Sequence, residues 1–322
     1  MYFPYLYGKQ KELIAVRGLA EMLADEGQVQ PIIEPVKNKF GSLVKTLDAS
    51  EKKKLTNWVV VNPALLDFRK ASESDRLAWG LAAFGEMKAR KTTRPTLLVS
   101  DALTPTVVKR FVQAFKGEEI GLAITPTSLD LAKVVGALAG VTIQRVFFKT
   151  PSPTQTNVTL FEKPKCVWVE DRFPHRPRNA DYAGRHPFTD KHLTWKASGW
   201  AGFSDYTILP PQPSDGGGPP GAVAFHMTHI HLAKPQGEIW VEHFVSDETN
   251  QAVQDNDGKF MEALAKFKKA TKRADSSFGV TEAASDYLNR ANTNDPPALG
   301  TNKQLEVEHH LELMSGVLAG RF

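Results

Sequence analysis

Thr96-Leu-Leu-Val-Ser-Asp101 is a short apolar run, and Val108, Phe111, Val112 and Phe115 then recur at helical spacing before a second apolar run, Ile120-Gly-Leu-Ala-Ile-Thr125. A strand, an amphipathic helix and another strand in this order describe a crossover unit, whose two strands lie parallel with the helix on one face. The same alternation extends in both directions. Strands are predicted at Phe3–Tyr7, Val29–Val36, Trp58–Asn62, Ile143–Lys149, Cys166–Glu170 and Phe203–Leu209, making eight with the two quoted. Further helical stripes are Leu13, Val16, Ala20 and Leu23; Leu77, Leu81 and Phe84; and Leu131, Val134, Val135 and Leu138. After the seventh strand Pro174, Pro177 and Pro187 interrupt any helix. Eight strand-helix units favour an α/β chain closed into a (β/α)8 TIM-like barrel. A doubly wound open sheet is the alternative, but the Gly-rich turn G-x-G-x-x-G that usually accompanies it is missing.

Beyond the eighth strand, Val223–Leu232 and Ile239–Ser246 flank Ala-Lys-Pro-Gln-Gly at 233–237 and read as an inserted β-hairpin. The helix Asn256–Lys272, with Phe260, Leu264 and Phe267 on one stripe, is then the candidate closing helix, and extra C-terminal helices follow. The expected organisation is one barrel domain over 1–275 with the hairpin at about 222–247, and a helical extension over 276–322. Gly216-Gly217-Gly218-Pro219-Pro220 reads as a connector and not as a nucleotide cradle.

Composition narrows the class. The 322 residues are 41% hydrophobic and 24% charged with a single cysteine, Cys166, which excludes an internal disulfide and a four-cysteine metal site. With no spanning apolar run and no signal-like start, a cytoplasmic protein without membrane contact is expected. The net charge of +4 is concentrated: Arg172, Arg176, Arg178, Arg185, Lys191 and Lys196 stand against Asp181 and Asp190 in one stretch. That stretch, 172–200, also holds Phe173, Tyr182, Phe188, Trp195 and Trp200, a mixture suited to nucleic acid or to a partner protein, or to a plain solvated loop. All nine histidines follow residue 174.

In such a barrel functional groups collect where strands end. Those ends carry Lys9, Glu34, Asn62, Asp101, Lys149, Asp171, Arg172 and Asp205. Glu34, Asp171 and Asp205 are the candidate catalytic carboxylates, able to activate water or hold a divalent metal in a hydrolase or phosphodiesterase-like reaction. Lys9, Asn62, Asp101, Lys149 and Arg172 would bind a phosphorylated or nucleotide-like substrate. The bland alternatives are a Glu34–Lys9 salt bridge and ordinary polar strand ends. In the hairpin, His229 and His231 share a face by alternation, and His243 from the adjoining strand would complete a metal site with them. A wet surface or interface suits such a histidine cluster equally well. Cys166 reads as packing.

The segments Tyr2-Phe-Pro-Tyr-Leu-Tyr-Gly-Lys-Gln-Lys-Glu-Leu13, Pro31-Ile32-Ile33-Glu34-Pro35-Val36, Val60-Val61-Asn62-Pro63, Gly202-Phe203-Ser204-Asp205-Tyr206 and His243-Phe244-Val245-Ser246 resemble the beta-protein family, named for a bacteriophage protein and found in many bacteria. The resemblance implies a barrel-like α/β fold with Lys9, Glu34, Asn62, Asp205 and His243 on recurring segments, and a role in antiviral defence beside a partner protein. Two functions compete: an enzyme acting at the strand C-terminal rim, which the many charged strand ends favour, and a non-catalytic recognition barrel that binds nucleic acid or a partner through the 172–200 stretch and the histidine hairpin, its mouth filled or its rim charges neutralising one another.

Overall fold

The computed structural model describes residues 1–149, 151–214, 221–233 and 237–322. The connector 216–220 lies outside these residues, as does most of the hairpin turn at 233–237. Two compact units form, one from Met1–Asp171 with Thr194–Tyr206 and the other from Arg172–Leu193 with Thr207–Phe322. The sequence-based division at residue 275 falls inside the second.

The first unit follows the predicted alternation: β1 (Tyr5–Leu6), α1 (Gln10–Glu26), β2 (Ile32–Ile33), α2 (Gly41–Lys53), β3 (Asn57–Val60), α3 (Glu73–Gly85), β4 (Thr93–Val99), α4 (Pro105–Ala114), β5 (Glu119–Ile124), α5 (Leu131–Ala137), β6 (Thr142–Lys149), α6 (Gln155–Leu160) and β7 (Cys166–Glu170). The chain then contributes β8 (Arg185–Thr189) to the second unit, turns through α7 (Lys191–Thr194) and returns as β9 (Ser204–Asp205). The eight barrel strands pair in parallel in the order β1-β2-β3-β4-β5-β6-β7-β9. Tyr2 closes the ring by bridging to both Val29 and Phe203, and the Phe3 N–H donates to the Phe203 carbonyl at 2.9 Å. The chain is therefore a (β/α)8 TIM-like barrel with a β-hairpin and C-terminal helices added after the eighth strand.

Alternation along the strands sorts the barrel's side chains into two sets. Ile33, Val59, Leu97, Leu122, Val146 and Cys166 face the helices. Val60, Leu98 and Ala123 meet in the interior, where Phe147 also packs edge-on to Trp58 and against Phe3. The helices start on side-chain caps where the loops allow it: Ser72, Thr104, Asp130 and Thr154 each accept a backbone N–H of the following turn. Packing requires glycine at position 80. A Cβ on Gly80 of α3 would lie 2.0 Å from the Val61 carbonyl oxygen, so Gly80→Ala is expected to cost about 1–3 kcal/mol or more by overpacking. An unchanged urea midpoint would show that α3 moves away at no cost.

The second unit is built on a four-stranded sheet in the order β12-β10-β11-β8, with β10 (Ala224–His231), β11 (Ile239–Val245) and β12 (Ser276–Ser277). Here α8 (Asn256–Ala270) and α9 (Glu282–Thr293) bury Phe260, Leu264, Phe267 and Tyr287 against Phe225, Met227 and Phe244 of the hairpin. The stripe proposed for a closing barrel helix is thus the core of this unit. The open edge of β10 is covered by α10 (Leu299–Ala319): the His226 N–H donates to Glu306 Oε1 at 2.7 Å and His309 Nε2 meets the Thr228 carbonyl at 2.7 Å. No helix among the described residues is long and apolar enough to cross a membrane.

Candidate functional site

At the C-terminal end of the barrel, Phe3, Tyr5 and Tyr7 share one face of the first strand by alternation, and Tyr206 follows β9. The Tyr5 and Tyr206 rings meet edge-on at 5.3 Å, and Tyr7 lies 6.1 Å from Tyr5 and 6.2 Å from Tyr206. Glu34, just beyond β2, is 1% exposed beneath these rings. Its Oε2 accepts from the Tyr5 hydroxyl at 2.6 Å and from Lys149 Nζ at 2.8 Å. The ammonium also sits 4.6 Å from the centre of the Tyr5 ring, a cation–π arrangement. Both bonds converge on one oxygen. The salt bridge expected for Glu34 exists, but its partner is Lys149.

Burial pushes the Tyr5 phenol well above its ordinary range, with the Glu34 carboxylate adding to the effect. Burial does the same to Tyr7, aided by Tyr206 and Glu34. Both are therefore neutral hydrogen-bond donors. Tyr7 is 1% exposed, yet its hydroxyl has no hydrogen-bond partner among the described residues. Such a buried donor without an acceptor costs about 1–3 kcal/mol, so it marks a position that a ligand oxygen would satisfy. Lys149 also lines a cavity of about 290 Å³ between the loops after β5 and β6, with Thr125, Thr127, Phe148, Pro153 and Asn157.

The first three strand-to-helix connections add positive charge to the same rim: Lys9, Lys11, Lys37, Lys39, Arg69 and Lys70 stand against Asp67 and the buried Glu12 and Glu34. Lys9 occupies the N-cap position of α1, while Glu12 in the first turn folds back to accept from the Tyr7 N–H at 2.6 Å. Asp171 is exposed beyond β7 and close enough to influence Tyr7.

Other predicted residues do not join this group. Asp205 pairs with Glu170, and Ser204 with Val169, so the face that carries Ser204 and Tyr206 inward turns Asp205 outward, where it accepts from the Tyr2 hydroxyl at 2.6 Å. The carboxylate trio Glu34, Asp171 and Asp205 is consequently not one cluster. Asn62 is occupied in holding the barrel: its Oδ1 accepts from the Leu98 N–H at 2.7 Å, and Nδ2 donates to the Leu98 carbonyl and to Glu73. Asp101 is exposed and ties two loops together, accepting from the Thr127 hydroxyl and from Ser128; those bonds hold its carboxyl below the ordinary range. Arg172 belongs to the second unit and lines a cavity of about 380 Å³ there with Asp190, Glu238 and Trp240.

The histidine metal site does not assemble either. The hairpin register pairs His226 with His243 and His229 with Trp240, which leaves His243 on the opposite face from His229 and His231. His231 stacks on Trp240 at 4.1 Å, and His243 Nδ1 lies 2.9 Å from His226 Nδ1 beneath Tyr182 and Phe173. Among the described residues, no group of three or more His, Cys, Asp or Glu side chains is placed to hold a metal ion. The basic aromatic stretch is divided, 172–193 belonging to the second unit and 194–200 to the first; Phe173 and Phe188 are buried, Arg185 pairs with Asp275 and Arg178 with Asp181, while Arg176, Arg178 and Lys196 are exposed. Burial raises the Cys166 thiol to about 12, which suits its place in the core.

Sequence reasoning missed the tyrosines. The alternation of Tyr5 and Tyr7 on a strand leading into the rim was the available signal. No protein-family model matches the chain, and no curated protein matches it.

Proposed function

We propose that the barrel mouth is a binding site for an anionic small molecule, of the phosphorylated or nucleotide-like class. The observation that carries this reading is the mutual neutralisation of Glu34 and Lys149 beside the partnerless Tyr7 phenol, under a rim of lysines and arginines. A carboxylate already engaged by an ammonium and a phenol is poorly suited to hold a metal or activate water. The same arrangement suits recognition: Tyr7 supplies a hydrogen bond, and the rim cations supply attraction for negative charge. This arrangement favours binding at the mouth over metal-assisted hydrolysis, and it does not involve the basic aromatic stretch 172–200.

Calorimetric titration of the full chain with glycerol 3-phosphate and with adenosine monophosphate tests the reading. Saturable binding to at least one is expected, weakening as salt rises because Lys37, Lys39, Arg69 and Lys70 of the rim are exposed and screened. Replacing the pair together, Glu34→Gln with Lys149→Met, leaves no lone buried charge and is expected to weaken binding by about tenfold or more, the equivalent of one lost charge-assisted hydrogen bond. Equal affinity in the doubly substituted protein would place the ligand elsewhere.

A further inference from the structure

We infer that Lys149 is an amine that captures a carbonyl group, so that the ligand of the mouth is an anionic aldehyde or ketone held as a Schiff base; this rests on the anion-binding reading above. Four features converge on this one side chain. It stands at the end of β6 with 11% of its side chain exposed, so the nitrogen is sheltered from bulk water; the residue also borders the cavity of about 290 Å³, whose lining does not include Glu34, Tyr5 or Tyr7. The Tyr5 ring lies against its ammonium at 4.6 Å. Glu34 sits 2.8 Å away, within the distance needed to accept or return a proton. The Tyr7 hydroxyl, buried in the same aromatic group, lacks an acceptor that a carbonyl oxygen would provide.

A purely structural salt bridge accounts for less of this. A buried ion pair is a weak source of stability, and an apolar pair of similar volume would fill the mouth at no greater cost. It would also leave the Tyr7 phenol unexplained.

The chemistry balances without an oxidant or reductant. Glu34 takes one proton from the Lys149 ammonium, and the freed nitrogen pair forms a bond to the carbonyl carbon as the carbonyl π pair moves to oxygen. That oxygen, stabilised by the Tyr7 O–H, receives the proton carried by Glu34 and becomes the hydroxyl of a carbinolamine. A second nitrogen-bound proton follows the same route and the C–O bond breaks. Two of the three ammonium protons thus leave with the oxygen as water, and the third remains on the iminium nitrogen.

The test uses the full chain with glycolaldehyde phosphate as the probe and borohydride to reduce any iminium to a stable secondary amine. Intact mass and peptide mapping then locate the adduct. One adduct per chain is expected, on the peptide holding Lys149, and inorganic phosphate should slow its formation. Lys149→Arg keeps a cation beside Glu34 and is expected to abolish that adduct. Tyr7→Phe removes one hydroxyl without altering the packing, and Glu34→Gln removes the proton carrier; each is expected to slow trapping by at least about tenfold. Trapping spread evenly over surface lysines, or saturable binding with no adduct at Lys149, overturns the inference and leaves the binding reading standing. Neither binding nor trapping overturns both.

Discussion

Lys259→Met is expected to destabilise the second unit by about 3–5 kcal/mol and to lower its thermal midpoint by about 10 °C. Lys259 is 1% exposed on α8, and its ammonium donates to three backbone carbonyls, those of Gly221 at 2.7 Å, Asn250 at 2.9 Å and Val253 at 2.5 Å. These bonds clamp the entry to β10 and the loop between β11 and α8 onto one point. Methionine preserves most of the stem volume, so little of the effect comes from a cavity. Removing the charge relieves the cost of burying an ammonium, which acts in favour of the variant. Against that, three carbonyls lose their donor at once, each at about 1–3 kcal/mol if water does not reach it. The second contribution is the larger. Urea unfolding of the full chain followed by circular dichroism measures it, and a midpoint within experimental error of the parent would mean that the loop carbonyls find water without loss.

The clamp was not legible in the sequence, because carbonyl partners have no residue code and all three lie in loops. The barrel was legible. All eight predicted strands overlap an observed one, since continuous β-branched runs are the signature of strands buried on both faces. The ladders of β1 and β2 are shorter than the runs that hold them because Pro4, Pro31 and Pro35 have no N–H to donate. Pro174, Pro177 and Pro187 likewise interrupt any long helix after β7, where the four-residue α7 is the only α-helix before β9 among the described residues. They could not announce that the segment pairs instead with β11, because Trp240 and Pro187 meet through a register that no local pattern records.

The site divides along the same line. A carboxylate inside Pro-Ile-Ile-Glu-Pro-Val had to be partnered, and Glu34 is. Which lysine partners it depends on closure of the ring, which brings Lys149 across 115 positions of sequence. Asp205 failed to join because Phe203-Ser204-Asp205-Tyr206 has apolar residues at both parities, so the sequence did not say which side faces inward. His243 failed for the same reason, as a slip of one residue in the hairpin would have moved it to the face of His229 and His231.

The histidine skew, visible from composition alone, carries the remaining large prediction: acidification from pH 6.5 toward 4 is expected to unfold the second unit while the barrel persists. All nine histidines lie in 172–193 and 207–322, so the barrel contains none. Burial lowers His229, His243 and His309 to about 4 and His226 well below its ordinary value, with Lys303, His243 and His175 further disfavouring charge at His226 and with His186 and Arg176 doing so at His243. The Nδ1–Nδ1 bond of 2.9 Å between His226 and His243 also cannot survive if both rings are protonated. Because the folded values lie below the unfolded value of about 6.5, the unfolded chain binds more protons between the two, and stability falls as pH drops through that window. Each such histidine removes up to about 1.4 kcal/mol per pH unit, so four together remove up to about 6 kcal/mol for each unit of the fall from 6.5 toward 4. Against a typical total of about 5–15 kcal/mol, that exhausts the unit's stability before pH 4. Burial raises the carboxyls of Glu308 and Glu312 on α10, which opposes the trend, but two groups acting nearer the carboxylate range do not offset four histidines. Limited proteolysis of the full chain over pH 7.5 to 4.5, read by mass spectrometry, distinguishes the units. Cleavage should appear first within 221–322, and His309→Gln, which keeps a donor and an acceptor for the Thr228 carbonyl and the Thr281 hydroxyl, should shift its onset to lower pH. Loss of protection in both units at one pH, or a second unit still protected at pH 4.5, would refute the assignment of acid sensitivity to these rings.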